Sequence, residues 1–355
     1  MEELENGFDA IVQKLKTIYP NQEGLYYRTM IPYFLGGNDP LDGVEVYLSS
    51  QGEPHWHYIT YGFSELYEEE NEGEEELSEE EEFLDEEKES GFGFELTFRL
   101  KKTEDKPPVW PVNLLQNLAR YVFSSGNVFD NGHHMNCNGP VALEEDTKLT
   151  ALGFLMDSEL GEMDTPWGHV KFLQAVAITQ EEMEGMMCWD GKSFLKQIEK
   201  RIPLCITDLS RTSLMEDTDF YQTWQEGVQR DGSSTYVLYM EKFECKMEKK
   251  QLWITLGAGN VNTFRTMLSA RVGMDKVLYI QTSEETFCFQ PSEENGFGQE
   301  EDFRAVYLKK EAVSEIGQIL APHKGDYCCK TAPISFHITA TEIKDQQGNI
   351  IEVIE

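Results

Sequence analysis

Two histidines that lie two positions apart, His55 and His57, have the type and spacing that could do chemistry most directly. In an extended strand both side chains project from the same face, as two ligands of one metal ion must. A structural zinc site needs four protein ligands, and a catalytic site needs three together with a water molecule. No Cys or His cluster lies near the pair in sequence, so packing within a strand is the favoured interpretation. A metal-dependent protein that uses His55, His57 and His133 remains an alternative hypothesis.

The neighbours His133 and His134 would face opposite sides of a strand, so at least one of them should face solvent or a cleft. An acid–base or metal-binding role is open to such a pair. A binding surface is the favoured interpretation, because no third catalytic partner can be identified.

No motif of a known catalytic site is present. The sequence contains no GxSxG, HExxH or EF-hand pattern, and its glycine-rich stretches at 91–94 and 257–259 lack the spacing of a phosphate-binding loop. The neighbouring cysteines Cys328 and Cys329 lack the second pair that a zinc site would require. We therefore predict a protein that is not an enzyme and has no cofactor.

The histidine pair belongs to a stretch, residues 55–61, that predicts a strand, and alternation over residues 92–100 predicts a second, half-buried strand. Between them, residues 68–89 hold 15 acidic residues and one lysine. Such a run repels itself and can bury little apolar surface. We therefore predict a disordered acidic loop at 68–90, inserted in a hairpin connection.

The remaining pattern mixes helices and strands without regular alternation. Helices are predicted at residues 7–18 and from Pro111 onward, a strand followed by a turn at 127–135, and a strand at 204–209. Turn residues at 229–234 predict a short linker between an N-terminal domain, 1–229, and a C-terminal domain, 235–355. In the second domain we predict strands at 235–245, 250–257, 277–282 and 333–343 and a helix at 308–320. The fold class is α+β, with a mixed or mainly antiparallel sheet and packed helices in each domain.

The net charge of −35 limits the classes of partner. Nucleic acid and anionic membrane surfaces would be repelled, and no basic stripe is visible. Residues 235–355 carry 18 acidic and 13 basic residues, so most of the negative charge lies in the first 234 positions. A basic protein or peptide is the expected partner.

The sequence also predicts a location. Its first residues are acidic and lack the positively charged region of a signal peptide, and no apolar run approaches the ~20 residues of a membrane span. The seven cysteines are odd in number and scattered, unlike a disulfide framework. We expect a cytoplasmic protein with reduced thiols.

A series of motifs resembles the Suppressor of fused family. The resemblance is specific over residues 19–233 and weaker over 235–343. Its motifs are FLGGNDPLD at 34–42, HWHYITYGFSELY at 55–67, GFGFELTFRLK at 91–101, PPVWP at 107–111, LARYVF at 118–123, TPWG at 165–168, ITDLSR at 206–211 and DGS at 231–233.

The resemblance implies a two-domain α+β protein without enzymatic activity. Animal members restrain Gli transcription factors and clamp a Gli peptide as an added strand in an interdomain cleft. Bacterial members are considered immunity proteins that neutralise toxins. The short acidic insertion at 68–89, in place of a long disordered insertion in the C-terminal domain, favours a bacterial member.

The resemblance also implies partner-binding positions. They lie at the end of a helix, in the segment that follows it and near the second domain's first strands: Tyr121, Val128, Phe129, Asp130, Gly132, His133 and Asp231. Animal members place an Asp where this chain has His133, and that Asp pairs with a His of the Gli peptide. The ion pair is lost here, which favours a partner other than Gli.

Overall fold

The computed structural model describes residues 6–67, 88–248, 250–344 and 350–354 of the chain. Residues 68–87 of the predicted acidic loop lie outside this part, and Glu89 and Ser90, also assigned to that loop, belong to a strand. No helix in the described part of the chain is long and apolar enough to cross a membrane. The helices are α1 (Gly7–Ile18), α2 (Trp110–Ser125), α3 (Gln180–Cys188), α4 (Gly191–Arg201), α5 (Thr218–Asp231), α6 (Val261–Arg271) and α7 (Lys310–Ile319).

The strands fall into two groups along the chain. The first group is β1 (Leu25–Arg28), β2 (Gly43–Ser49), β3 (His55–Tyr61), β4 (Glu89–Lys101), β5 (His134–Asn136), β6 (Leu149–Met156), β7 (Glu162–Thr165) and β8 (Gly168–Thr179). The second is β9 (Val237–Tyr239), β10 (Phe243–Glu248), β11 (Gln251–Gly257), β12 (Leu278–Gln281), β13 (Thr286–Pro291), β14 (Gly296–Gln299), β15 (Arg304–Leu308), β16 (Gly325–Cys328), β17 (Ile334–Thr339), β18 (Thr341–Lys344) and β19 (Ile350–Ile354).

The chain packs as two compact units. The first contains residues 1–180 and 195–212, and the second contains 181–194 and 213–355. The division into domains at 229–234 stays a prediction, and the first residues of that linker are helical, since α5 continues to Asp231. The helix ends there because Gly232 has φ +69° and donates its N–H to the carbonyl of Val228 at 3.0 Å.

The first unit is built on one sheet with the strand order β1-β2-β3-β4-β8-β6-β5, and β7 pairs with β8. Strands β4 and β8 run parallel, and the other neighbours are antiparallel. Strand β5 is therefore the last strand of the sheet on one side. This topology confirms a mixed, mainly antiparallel sheet for the first part of the chain.

Both faces of this sheet are covered. Helix α2 packs Leu115, Leu118 and Val122 on one face, and α1 packs Ile11 and Leu15 on the other. The N-terminus of α1 is capped by the Asn6 side chain, which accepts a hydrogen bond from the backbone of the first turn.

Because a helix lies on each side, β4 is buried on both faces. The polar residues that alternate with its apolar ones, Glu95, Thr97 and Arg99, have no exposed surface. The prediction of a half-buried strand at 92–100 was therefore wrong about its polar face. Each of these polar groups needs a protein partner, because burial without one would be costly.

The second unit contains two sheets and a hairpin. The sheets have the orders β10-β11-β17-β16 and β14-β15-β13-β12-β9, and β18 pairs with β19. Helix α6 fills the space between the sheets: the Phe264 ring lies 5.5 Å from that of Phe289 and 6.1 Å from that of Phe336. Parallel and antiparallel pairs occur in both sheets, so the α+β fold class is confirmed.

Candidate functional site

The first candidate residues follow the end of α2. The helix stops at Ser125 because Gly126 has φ +72° and donates its N–H to the carbonyl of Val122 at 2.8 Å. The chain then crosses to the edge strand β5 without forming a strand over 127–133, so the prediction of a strand beginning at 127 was wrong. A tight turn over residues 130–133 precedes β5 instead.

Phe129 anchors this segment. Its side chain is buried, and its ring stacks on Phe154 of β6 at 4.0 Å and on Tyr121 at 5.8 Å. Tyr121 and Val128 are 39% and 48% exposed. Phe129 therefore holds the segment in place, and Tyr121 and Val128 are the apolar side chains that a partner could touch.

A tight turn over residues 130–133 leads into β5. The N–H of His133 donates to the Asp130 carbonyl at 2.9 Å, and the Asp130 N–H donates to Nδ1 of His133 at 3.1 Å. Since Nδ1 accepts, the neutral imidazole carries its proton on Nε2, which is a donor for a partner group. Gly132 has φ +94°, which favours glycine, and its N–H donates to the Phe154 carbonyl at 2.7 Å.

Strand β5 presents a free edge. The His133 carbonyl accepts from Phe154 and the Cys137 N–H donates to Thr150, so odd-numbered residues direct their backbone toward β6. On an antiparallel strand the even-numbered residues in between direct their backbone N–H and C=O groups away from β6. The backbone groups of His134 and Asn136 therefore point away from the sheet, and no described residue pairs with them.

These two residues were not recognised from the sequence as an edge. His134 is half-buried, and burial lowers the pKa of its imidazole to about 4, so it is neutral at neutral pH. A free edge of only three residues, preceded in the chain by Tyr121 and Val128, is a short template for an added strand. The histidine pair at 133–134 was the signal that marked this place.

Asp231 lies in the second compact unit. Its carboxylate accepts a hydrogen bond from Nε1 of Trp189 at 2.8 Å and pairs with Arg230 at 2.6 Å. Its backbone carbonyl accepts from the Lys276 ammonium at 3.2 Å. These contacts fix Asp231 locally, and the other six candidates are placed together in the first unit.

His55 and His57 lie in a buried polar network. Arg99 NH1 lies 3.2 Å from Nε2 of His55. Because a guanidinium can only donate, Nε2 of His55 is the acceptor. Nδ1 of His55 lies 2.7 Å from the Glu53 carbonyl oxygen. Nδ1 of His57 lies 2.9 Å from the Tyr19 hydroxyl, and Nε2 lies 3.4 Å from Asp157. The prediction that both histidines share one face and pack within a strand is confirmed.

The same contacts place protein groups at the ring nitrogens of both histidines: a guanidinium and a carbonyl at His55, and a hydroxyl and a carboxylate at His57. His133 uses its accepting nitrogen in the 130–133 turn. Among the described residues, no group of three or more His, Cys, Asp or Glu is placed to hold a metal. The hypothesis of a metal centre at His55, His57 and His133 therefore has no support in this geometry.

The network is organised by Arg99 and Asp157, which the sequence did not single out. Arg99 contacts both carboxylate oxygens of Asp157 at 2.9 Å and also pairs with Glu159. Although burial opposes ionisation, the Arg99 charge and His57 hold the pKa of Asp157 far below its usual range. Burial, followed by the Arg99 charge, lowers the pKa of His57 to about 4.

Comparison with known proteins identifies the family. The sequence model described as Suppressor of fused protein (SUFU) matches residues 37–212. The human and mouse proteins named Suppressor of fused homolog are each 35% identical over 244 residues, which cover 64% of this chain and 48% of the relative. The chain thus spans about half the length of the curated relatives it matches.

Solved structures support the same family assignment. A crystal structure of Drosophila Suppressor of Fused matches with a TM-score of 0.76 at 22% identity, covering 95% of this chain and 98% of that one, which shows the shared fold. A chain from a crystal structure of the Sufu–Fu complex matches with a TM-score of 0.56 at 32% identity, covering 64% of this chain and 99% of that one. The chain therefore belongs to the Suppressor of fused family.

Proposed function

We propose that this chain is a non-enzymatic binding protein that takes up an extended segment of a partner protein as an added strand on the edge of β5. The free edge, with the outward backbone groups of His134 and Asn136, is the observation that carries the proposal. Strand addition obtains its affinity from such main-chain hydrogen bonds and its specificity from neighbouring side chains.

The neighbouring side chains define the segment that fits. Tyr121 and Val128 offer exposed apolar surface, and the exposed His133 offers an Nε2–H donor. A segment with an apolar residue and a polar or basic residue is the complement of this surface. The net charge of −35 would speed the capture of a basic partner at low salt.

The relatives support a protein partner. One matched structure is named as a complex, that of Sufu with Fu. The resemblance to animal members implies the uptake of a peptide by those proteins. We propose strand addition for this chain too, on the β5 edge of the first unit. The cytoplasmic location and the lack of catalysis belong to this proposal.

Two kinds of partner fit this role. A Gli-type peptide is the partner of animal members. The replacement of their Asp by His133 favours another partner, such as a toxin that a bacterial immunity protein would neutralise. Titration with a Gli-type peptide, followed by fluorescence anisotropy, separates the two. Micromolar or tighter binding would establish the Gli-type role, and no binding would favour the toxin.

The edge itself is tested by two variants at one position. The partner is recovered from the source cells and identified, and its binding segment is synthesised with a fluorescent label. Asn136→Pro removes an outward N–H without touching the bonds to β6, and Asn136→Ala keeps that N–H. We expect at least tenfold weaker binding for Asn136→Pro and less than twofold change for Asn136→Ala. Equal affinities for both variants would refute strand addition at β5.

A further inference from the structure

The five-stranded sheet of the second unit has one filled face. Phe287 and Phe289 of β13 are fully buried and pack against Phe243 at 5.1 Å and Phe264 at 5.5 Å. Leu278 and Ile280 of β12 are paired with β13 on the same side and are also buried. The core of the unit therefore lies against this face of the sheet.

The opposite face carries aromatic side chains. Tyr279 alternates with the two buried residues of β12, and the register of β9 and β12 places Tyr239, opposite Gln281, on the same side. Tyr279 contacts Tyr236 and Phe303 edge-on, at ring distances of 6.4 and 5.9 Å. Tyr236 and Tyr239 are 58% and 73% exposed. Together these four rings form an aromatic surface, which we call the aromatic face.

One end of the aromatic face is acidic. The turns at 282–285 and 300–303 contain five acidic residues and no Lys or Arg. Met240, which follows β9, donates its N–H to the Gln281 carbonyl. The exposed Tyr239, at the end of β9, therefore lies beside the turn at 282–285. The Tyr307 hydroxyl, which lies on the same side of β15 as Phe303, donates to Glu300 at 3.1 Å.

Most of this charge is not neutralised locally. Glu285 pairs with Arg304, whose guanidinium lies 5.9 Å from the ring of buried Phe287 and thus on the filled side of the sheet. The other four carboxylates are exposed and make no ion pair with a described residue: Glu284, Glu300, Glu301 and Asp302. We call these four residues the acidic rim.

We propose that the aromatic face and the acidic rim form a second docking surface, one for a Lys- or Arg-rich segment of a partner protein. Cationic side chains are attracted to the faces of Tyr and Phe rings and to carboxylates, and this surface presents both within one sheet. A second copy of this chain is disfavoured because each copy carries a charge of −35. Nucleic acid and anionic lipid are repelled for the same reason. The surface lies within the second unit, and its test does not depend on strand addition at β5.

The test uses a labelled twelve-residue peptide of alternating Arg and Gly-Ser units, and a matched peptide with Gln in place of Arg. Anisotropy titrations at low salt compare the unchanged 355-residue chain with two variants: Tyr239→Ala, and the triple variant Glu300→Gln, Glu301→Gln, Asp302→Asn. Both changes affect exposed side chains, so circular dichroism should show unchanged folding. We expect at least fivefold weaker binding of the Arg peptide by either variant, and no binding of the Gln peptide.

A matched control separates docking from general attraction. The variant Glu74→Gln, Glu75→Gln, Glu76→Gln removes the same charge from the acidic stretch at 68–89, and we expect less than twofold change. The Asn136→Pro variant should bind the Arg peptide as the wild type does, so failure of strand addition and failure of this surface can be told apart. Equal weakening by the control, unchanged binding by Tyr239→Ala, or equal binding of the Gln peptide would overturn the proposal.

Discussion

Nε2 of His57 lies 3.4 Å from Oδ2 of Asp157, and both side chains are fully buried. The distance and alignment are too poor for a strong hydrogen bond, and the better partners of Asp157 are Arg99 and the Thr97 hydroxyl, at 2.9 and 2.7 Å. The Tyr19 hydroxyl occupies the other nitrogen of His57. The imidazole is thus held neutral beside a charged pair, and this arrangement ties β3 and β4 to the residues that directly follow β6 and α1.

The Arg99–Asp157 pair should be essential for stability. Replacing Asp157 with Asn leaves the buried Arg99 charge with Glu159 as its remaining carboxylate partner, and removing one partner of a buried pair costs about 3–5 kcal/mol. The exposed pair of Lys310 with Asp275 provides the control, because such pairs contribute about 0–1 kcal/mol. Urea unfolding of Asp157→Asn and Asp275→Asn measures both. A loss below about 1 kcal/mol for Asp157→Asn would contradict this account of the network.

The folded protein should lose stability as the pH falls from about 6.5 to about 4. The pKa of His57 is lowered on folding, so the unfolded chain binds a proton in this range and the folded chain does not, and the free energy of unfolding decreases toward acid. At about 1.4 kcal/mol for each pH unit, the contribution of His57 reaches about 3 kcal/mol. Burial raises the pKa of Glu95, which gives a slope of the opposite sign.

The contribution of His57 is isolated by comparing the wild type with His57→Gln. Urea unfolding at pH 7.0, 6.0 and 5.0 should show a smaller pH dependence for the variant, even though the variant is less stable at pH 7.0. Glu95 is common to both proteins and cancels in the difference. The same slope in both proteins would show that His57 is not buried in its neutral form.

Two neighbouring residues should separate stability from binding. Phe129 is buried between Phe154 and Tyr121, so Phe129→Ala should cost about 3–5 kcal/mol of stability. Val128 is exposed, so Val128→Ala should change stability by less than about 0.5 kcal/mol while weakening partner binding severalfold. Thermal unfolding and anisotropy with the identified partner segment distinguish these effects. Unchanged partner binding by Val128→Ala would remove Val128 from the proposed surface.

Local patterns predicted several elements well. Residues 7–18 form α1 and residues 55–61 form β3 at the predicted bounds, because strong periodicity and β-branched or aromatic residues act over short distances. The helix at 308–320 is α7, Lys310–Ile319. The family and the α+β class also followed from sequence, since motifs in fixed order carry more information than composition.

Other elements could not be predicted because long-range contacts decide them. Residues 204–209 were predicted as a strand, but Leu204 and Cys205 have positive φ, of 58° and 47°, and form a short helical turn at Pro203–Cys205. Only Thr207 bonds to the β4 backbone, at Arg99 and Lys101. No residue within the segment itself signals that pairing.

The candidate site was predicted in part. The motif series drew attention to residues 128–133, but it could not show that Phe129 points inward or that β5 ends the sheet, because strand order is a property of the whole fold. The Arg99–Asp157 pair joins positions 58 residues apart. Such a pair is found only when β4 and the end of β6 are placed together.

Amide hydrogen exchange tests the central claim most directly, because it reads the edge of β5 residue by residue. In the free protein the N–H groups of His134 and Asn136 point away from the sheet, whereas Met135 faces Leu152 of β6. With a saturating partner segment, we predict at least tenfold slower exchange at His134 and Asn136 and little change at Met135. Unchanged exchange at His134 and Asn136 in a saturated complex would contradict strand addition at this edge.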